Sequence, residues 1–147
     1  MQAGTTLLLA LGLKLLEALA IWIVGRWLIG IATGMIGKWH LGMLPNYDPL
    51  KSGYDHFFGF RGGAVDYYTH LASNRKDDLW DDSVPVKKVG YATEMLGDRA
   101  VAAVNGFAQS KRPFFLSLHF TAPHWPWEAP GDQAESRRGA AAGALVA

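Results

Sequence analysis

Pro113-Phe114-Phe115-Leu116-Ser117-Leu118-His119-Phe120-Thr121-Ala122-Pro123-His124-Trp125-Pro126 is the stretch whose reading decides the fold. Its first part, Phe114 to Phe120, reads as a strand, with Phe114, Leu116, Leu118 and Phe120 facing one way and Phe115, Ser117 and His119 the other. Apolar side chains on both faces predict a strand buried on both sides. Directly upstream, Thr93 to Gln109 reads as a helix. Thr93 can cap its amino end, Glu94 lies in the first turn, and Val101, Val104 and Ala108 share a face. Lys111 and Arg112 follow its end and Pro113 stops it. A helix feeding a buried strand is half of an αβ repeat and predicts an α/β fold with a parallel sheet.

A second strand is expected at Thr33-Gly34-Met35-Ile36-Gly37, short and bounded by glycines. It runs into Gly37-Lys38-Trp39-His40-Leu41-Gly42. Open α/β sheets bind ligands beyond the carboxyl ends of their strands. Lys38 and His40 follow the first strand and His124 follows the later one, so all three are expected at one crevice. An ammonium and two imidazoles there would suit a tetrahedral oxyanion, with the imidazoles able to donate hydrogen bonds or move protons near neutral pH. His70 and His119 read as structural, and so does His56. Trp39, Trp125 and Trp127 could line a cleft and stack on a sugar or aryl group, or pack in the core. Between the two strands, Leu44 to Tyr91 is rich in Gly, Pro, Asp and aromatics without a sustained period, and reads as mostly loop with short pieces of structure. Asp77, Asp78, Asp81 and Asp82 raise the idea of a cation site, but a solvated loop is the reading preferred.

The 147 residues suffice for one domain and are few for an α/β hydrolase with a ligand cleft. A net charge of +1, with no basic block interleaved with aromatics, excludes an argument for nucleic acid. There is no cysteine, hence no disulfide and no thiolate metal site. Charge is unevenly spread: before Lys38 the only charged residues are Lys14, Glu17 and Arg26. The apolar stretch from Thr5 to Ile36 is therefore expected to contain a membrane-crossing or interfacial helix. Lys14 could pair with Glu17, and Arg26 could snorkel between Trp22 and Trp27. That helix implies a membrane location, with the remainder on the extracytoplasmic side. No positive residue occurs in Met1 to Thr6, which argues against a signal peptide. The Ala- and Gly-rich end, residues 139–147, reads as a low-complexity tail.

Taken with Asp55-His56-Phe57-Phe58-Gly59, the Gly37–Gly42 and Ala122–Pro126 segments resemble the sulfatase family of sulfate-ester hydrolases. The resemblance covers roughly residues 32–138. It implies a partial alkaline-phosphatase-like α/β sandwich, preceded by the long apolar helix of residues 1–31. Residues Ala18 to Gly30 also loosely resemble the first membrane helix of small-conductance mechanosensitive channels. By resemblance to sulfatases, Lys38 clamps the sulfate, and His40 contacts a hydrated formylglycine nucleophile and serves as a base. His124 contacts the ester oxygen and protonates the leaving group. The family makes formylglycine from a Cys or Ser in a Cys/Ser-x-Pro/Ala-x-Arg motif upstream of the Gly-Lys segment, and no such motif occurs here. Ser83-Val84-Pro85-Val86-Lys87 is a faint echo that ends in Lys, lies downstream of Lys38 and reads as loop. The family's calcium ion is held by a paired Asp near the amino terminus and a later Asp-Asn pair. Neither has a counterpart in this chain.

The expectation is thus a sulfatase-family piece, replaced at its amino end and catalytically incompetent alone, whose ligand is a sulfate ester or sulfated carbohydrate. Two rivals stand beside it: a membrane-anchored, non-enzymatic fusion or pseudogene product, and a phosphate or phosphonate ester hydrolase of the same superfamily.

Overall fold

A computed structural model describes residues 2–142, without the side chains of residues 2–8, 26, 28, 29 and 139–142. The chain divides into two compact units, residues 1–31 and 32–147.

The first unit is a single helix, α1 (Gln2–Ile29). Its described apolar side chains are exposed on every side rather than gathered in a stripe, among them Leu9, Leu13, Leu16, Ile21 and Val24. The expectation of a membrane-crossing helix is corrected here. Among the described residues, no helix is long and apolar enough to cross a membrane. Lys14 and Glu17 pair at 2.7 Å near the middle of α1, not at its ends. A charge at the bilayer midplane costs about 2.5–3.5 kcal/mol even on insertion scales. The membrane location, the extracytoplasmic placement and the membrane partner fall with that helix. The expected setting of Arg26 lies outside the described side chains.

The second unit is built on a five-stranded sheet. Its strands are β1 (Ala32–Lys38), β2 (His56–Phe60), β3 (Trp80–Asp81), β4 (Val84–Pro85) and β5 (Phe114–His119), in the order β4-β3-β2-β1-β5. β1 runs parallel to both β2 and β5, while β3 and β4 add an antiparallel edge, so the sheet is mixed. Helix α2 (Ala92–Gln109) packs on it through Ala92, Leu96 and Ala100, an i, i+4, i+8 row. The expected face of Val101 and Val104 is exposed instead. Thr93 does not cap this helix. Tyr91 holds the cap position without a side-chain bond, and the Ala92 N–H donates to the Tyr67 carbonyl. The core is Ile36, Phe58, Phe60, Val65, Tyr67 and Leu79 against that helix row.

Four further expectations change. β2 lies inside the stretch read as loop, and pairs with β1 along its whole length. Val84 and Pro85, also read as loop, form a hairpin arm with β3. β5 is the outer strand of the sheet and not a strand buried on both faces: Phe115 is 54% and Leu118 38% exposed. The tail is helical where described, as the end of α3 (Gln133–Ala142), and residues 143–147 lie outside the described residues.

Where β1, β2 and β5 approach at their carboxyl ends, only glycine fits. Gly37 has φ +113° and Gly59 φ +151°. A Cβ on Gly37 would sit 1.8 Å from the His119 carbonyl oxygen, and one on Gly59 2.0 Å from the Gly37 oxygen. Gly59→Ala should therefore destabilise the fold by at least about 3 kcal/mol in urea titration, combining backbone strain with a clash that neither strand can relieve. Gly97 in α2 has open space around its Cβ position. Gly97→Ala should stabilise by up to about 1 kcal/mol in the same measurement.

Candidate functional site

Lys38 closes β1 and His40 follows two residues later, while His124 lies in the turn that leaves β5. β1 and β5 are parallel and hydrogen-bonded from Ala32↔Phe114 to Gly37↔His119. All three residues therefore belong to the carboxyl edge of two adjacent strands. His56 opens β2 at the opposite edge, exposed, with Nδ1 3.8 Å from the Asp82 carboxylate. His70 is buried, stacked on Phe60 at 6.1 Å and donating from Nε2 to the Gly90 carbonyl. Burial holds its pKa below the ordinary value, so it is neutral at pH 7.

Lys38 is half-buried, and its ammonium makes no ion pair among the described residues. Backbone bonds from the Trp39 N–H to Phe60 O and from the His40 N–H to Arg61 O carry the β1–β2 pairing past the strand end. His40 sits at φ +53°, with its exposed ring against Gly63, where a Cβ would come within 2.6 Å of Nε2. Trp39 donates its indole N–H to the Tyr47 carbonyl and meets Tyr54 edge-on, so it serves this loop as a strut. His124 donates from Nδ1 to the Trp125 carbonyl at 2.7 Å. That bond leaves Nε2 as the atom able to take or give a proton. Trp125 is half-buried and Trp127 is 81% exposed.

Beneath the Lys38 edge lies a charged layer that the sequence did not disclose. Arg61, with no exposed side-chain surface, pairs with Asp48 at 2.9 Å and is sandwiched between Phe57 and Trp80. Burial works to raise the Asp48 pKa, but the Leu50 N–H and the Arg61 charge outweigh it and hold the carboxyl below its usual range. Asp78 is buried, contrary to the solvated loop expected of the Asp77–Asp82 run. It accepts from the Arg61 and Gly62 N–H groups and the Trp80 indole. The others are used singly: Asp77 pairs with Lys87, Asp81 with Arg99, and Asp82 accepts from the Phe57 N–H. Calcium wants six to eight oxygen ligands. These carboxylates are committed separately to cations and amides, and no group of three His, Cys, Asp or Glu among the described residues could hold a metal ion. The residues present do not fit the family's calcium ion.

Sequence reasoning read His119 as structural and gave Ser117 no role. They share a face of β5, and Ser117 Oγ donates to His119 Nε2 at 2.8 Å while His119 Nδ1 donates to the Lys38 carbonyl at 3.3 Å. Their i, i+2 spacing on a strand was the available signal. A separate cleft of about 400 Å³ between α2 and the sheet is lined by Gly34, Met35, His56, Arg99 and Phe107, and takes in none of Lys38, His40 and His124.

The Sulfatase family matches residues 28–143. The chain belongs to the sulfatase family. Arylsulfatase J of Mus musculus is 34% identical over 118 residues, covering 75% of this chain and 20% of the relative. The N-acetylglucosamine-6-O-sulfatase of Bacteroides thetaiotaomicron is 34% identical over 100 residues, covering 67% and 15%. Among solved structures, Ps i-CgsB in complex with k-i-k-neocarrahexaose superposes with a TM-score of 0.62 at 33% identity, covering 70% of this chain and 26% of that one. The chain thus spans a fifth or less of these two curated relatives and about a quarter of that solved chain. The likeness of Ala18–Gly30 to a mechanosensitive-channel helix finds no support among these relatives.

Asp78→Ala would leave two buried amides and an indole N–H without acceptors, each worth about 1–3 kcal/mol. It should lower unfolding free energy by about 3 kcal/mol or more in chemical denaturation, with Asp78→Asn, which keeps one acceptor oxygen, clearly milder.

Proposed function

We propose that the sulfatase-like unit supplies the anion-recognition and proton-transfer edge of a site for sulfate-ester hydrolysis, the reaction of the family to which the chain belongs. Lys38 is the sulfate clamp, His40 the base beside the nucleophile position and His124 the acid for the leaving oxygen. The observation that carries this reading is the parallel pairing of β1 with β5, which sets the Lys38 and His124 segments on one edge of the sheet. The unpaired ammonium and the free Nε2 of His124 supply the chemistry.

The substrate class we infer is a sulfated carbohydrate. Two of the relatives point that way, one by its N-acetylglucosamine-6-O-sulfatase name and the other by its neocarrahexaose complex. Exposed Trp127, with the half-buried Trp39 and Trp125, offers aromatic faces on which sugar rings stack.

The chain as it stands is a recognition piece rather than a working hydrolase. It has no cysteine and no Cys/Ser-x-Pro/Ala-x-Arg motif from which the family's nucleophile is made. General acid–base groups alone give about 10²–10⁴-fold acceleration, against the 10⁶-fold or more usual for enzymes. The purified chain is expected to show no aryl-sulfate turnover above background, with or without added calcium. Inorganic sulfate should bind weakly, with chemical-shift changes at Lys38 and His124 that disappear in Lys38→Ala. Calcium-dependent turnover abolished by His124→Ala would overturn the reading of incompetence and reveal an unrecognised nucleophile.

A further inference from the structure

The segment that carries His124 is held by three tyrosines and one carboxyl group, none of them among the residues assigned to chemistry above. Tyr67 donates its hydroxyl to the His124 carbonyl at 2.9 Å, and its backbone N–H to Glu128 Oε2 at 2.7 Å. Tyr91 donates to the Glu128 carbonyl at 2.8 Å, and Tyr68 to the Ala129 carbonyl at 2.7 Å. The rings form a cluster, with Tyr91 5.6 Å from Tyr67 and 5.3 Å from Tyr68. The segment thus hangs from its backbone oxygens, and His124 and Glu128 occupy the two ends of the same clasp.

The Glu128 side chain meets a second carboxyl. Asp66 is 2% exposed, and its charge and side chain act on Glu128. It also accepts from the Tyr68 and Thr69 N–H groups, the Thr69 hydroxyl and the Ser136 hydroxyl of α3. Burial works to raise its pKa, but these donors hold Asp66 below the usual carboxylate range, so it is the ionised member. Glu128 is pushed up to about 7, first by burial and then by the Asp66 charge and hydrogen bond, against the Tyr67 N–H. Below that pH it is the member of the pair that carries the proton. The other titratable groups facing this pair are Tyr67, whose pKa is raised by burial and by Tyr91 and Glu128, Tyr91 itself, and His70 beside Asp66. His70 is held neutral by burial, and Tyr67, raised above the ordinary phenol value, keeps its proton above pH 8.

We propose that Tyr67 and Glu128 are positioning residues for His124, holding its segment in place while Glu128 shares its proton with Asp66 and releasing it when that proton is lost. The proposal rests on the reading of His124 as a site residue. The sign follows from linkage. A carboxyl whose folded pKa lies above its unfolded value contributes stability below the unfolded value, about 4.5, and loses it as pH rises through about 7. Above that, two carboxylates face each other in a half-buried site and the clasp opens. The site edge would then be set in mildly acidic solution and loosened in alkaline solution, whatever the ionisation of His124 itself.

Hydrogen exchange on the full chain, corrected for intrinsic rates, tests this at pH 6.0 and pH 8.5. Protection across residues 121–132 and at the Tyr67 amide should fall at least tenfold on going to pH 8.5 in the wild type. In Glu128→Gln, whose amide keeps both a donor for Asp66 and an acceptor for Tyr67, it should stay high at both. Tyr67→Phe should lower protection around His124 at both pH values and leave the pH dependence in place. Flat protection in the wild type, or a wild-type pH response in Glu128→Gln, overturns the proposal. Inorganic sulfate titrated in parallel separates the two readings. The exchange pattern without any sulfate binding supports the clasp and faults the anion site, while sulfate binding with flat exchange faults the clasp alone.

Discussion

The close approach of three parallel backbones at Gly37, Gly59 and His119 is the constraint on which the rest of the sulfatase-like unit depends. With ordinary side chains at the two glycines, the carboxyl ends of β1, β2 and β5 could not come together. Lys38 and His40 would then leave the sheet at a different angle from the His124 turn. The tight junction works as a hinge-free corner. It brings β1 to its last residues in register with both neighbours, and the hydrogen bonds to β2 run on through Trp39 and His40. Chemistry-bearing residues follow such corners because the corner, not the flexible loop beyond it, sets their direction.

Beneath the corner, buried acids take over the work that regular secondary structure does elsewhere. The long crossing from β1 to α2 has little helix or strand of its own, and Asp48, Asp66 and Asp78 each gather several donors along it. Burying such groups without partners would cost far more than leaving them in water. Here each carboxylate closes a short loop on itself and ties it to an aromatic or cationic neighbour. The family's metal chemistry has no equivalent among these acids, since every one is already spent on holding backbone in place.

The parts legible in the sequence were those with a local cause. β1 announced itself by its bounding glycines, α2 by the acid in its first turn and its stop residues, and β5 by its apolar run. β2 was missed because His56-Phe57-Phe58-Gly59-Phe60 is a short aromatic run with neither alternation nor turn signals at the right spacing. The exposure of β5 was missed because periodicity tells what a strand is able to bury, not whether anything is present to cover it. The same reasoning failed for α1, where the number of apolar residues outweighed the position of Lys14 and Glu17. The three motifs pointed to the right family, while the tyrosine clasp stayed invisible. Tyr67 and Glu128 lie 61 residues apart, and a tyrosine gives no sign in sequence of whether its hydroxyl will meet a carbonyl.

The outer position of β5 sets how this polypeptide behaves in a crowded solution. One side of the strand is satisfied by β1, and the other presents a row of amides and carbonyls beside Phe115 and Leu118. Unprotected edges of this kind are templates for strand addition from another molecule. Within Phe114–His119 there is no lysine and no proline to discourage it. The flanks do carry such residues, with Lys111, Arg112 and Pro113 before the strand and Pro123 and Pro126 after it. They act as gatekeepers that confine any intermolecular ladder to about six residues. Growth into a long fibril core is blocked at both ends, while short-range pairing of two or a few copies is left open. One exposed strand and the five residues that frame it thus set how far this chain can extend a ladder with its neighbours.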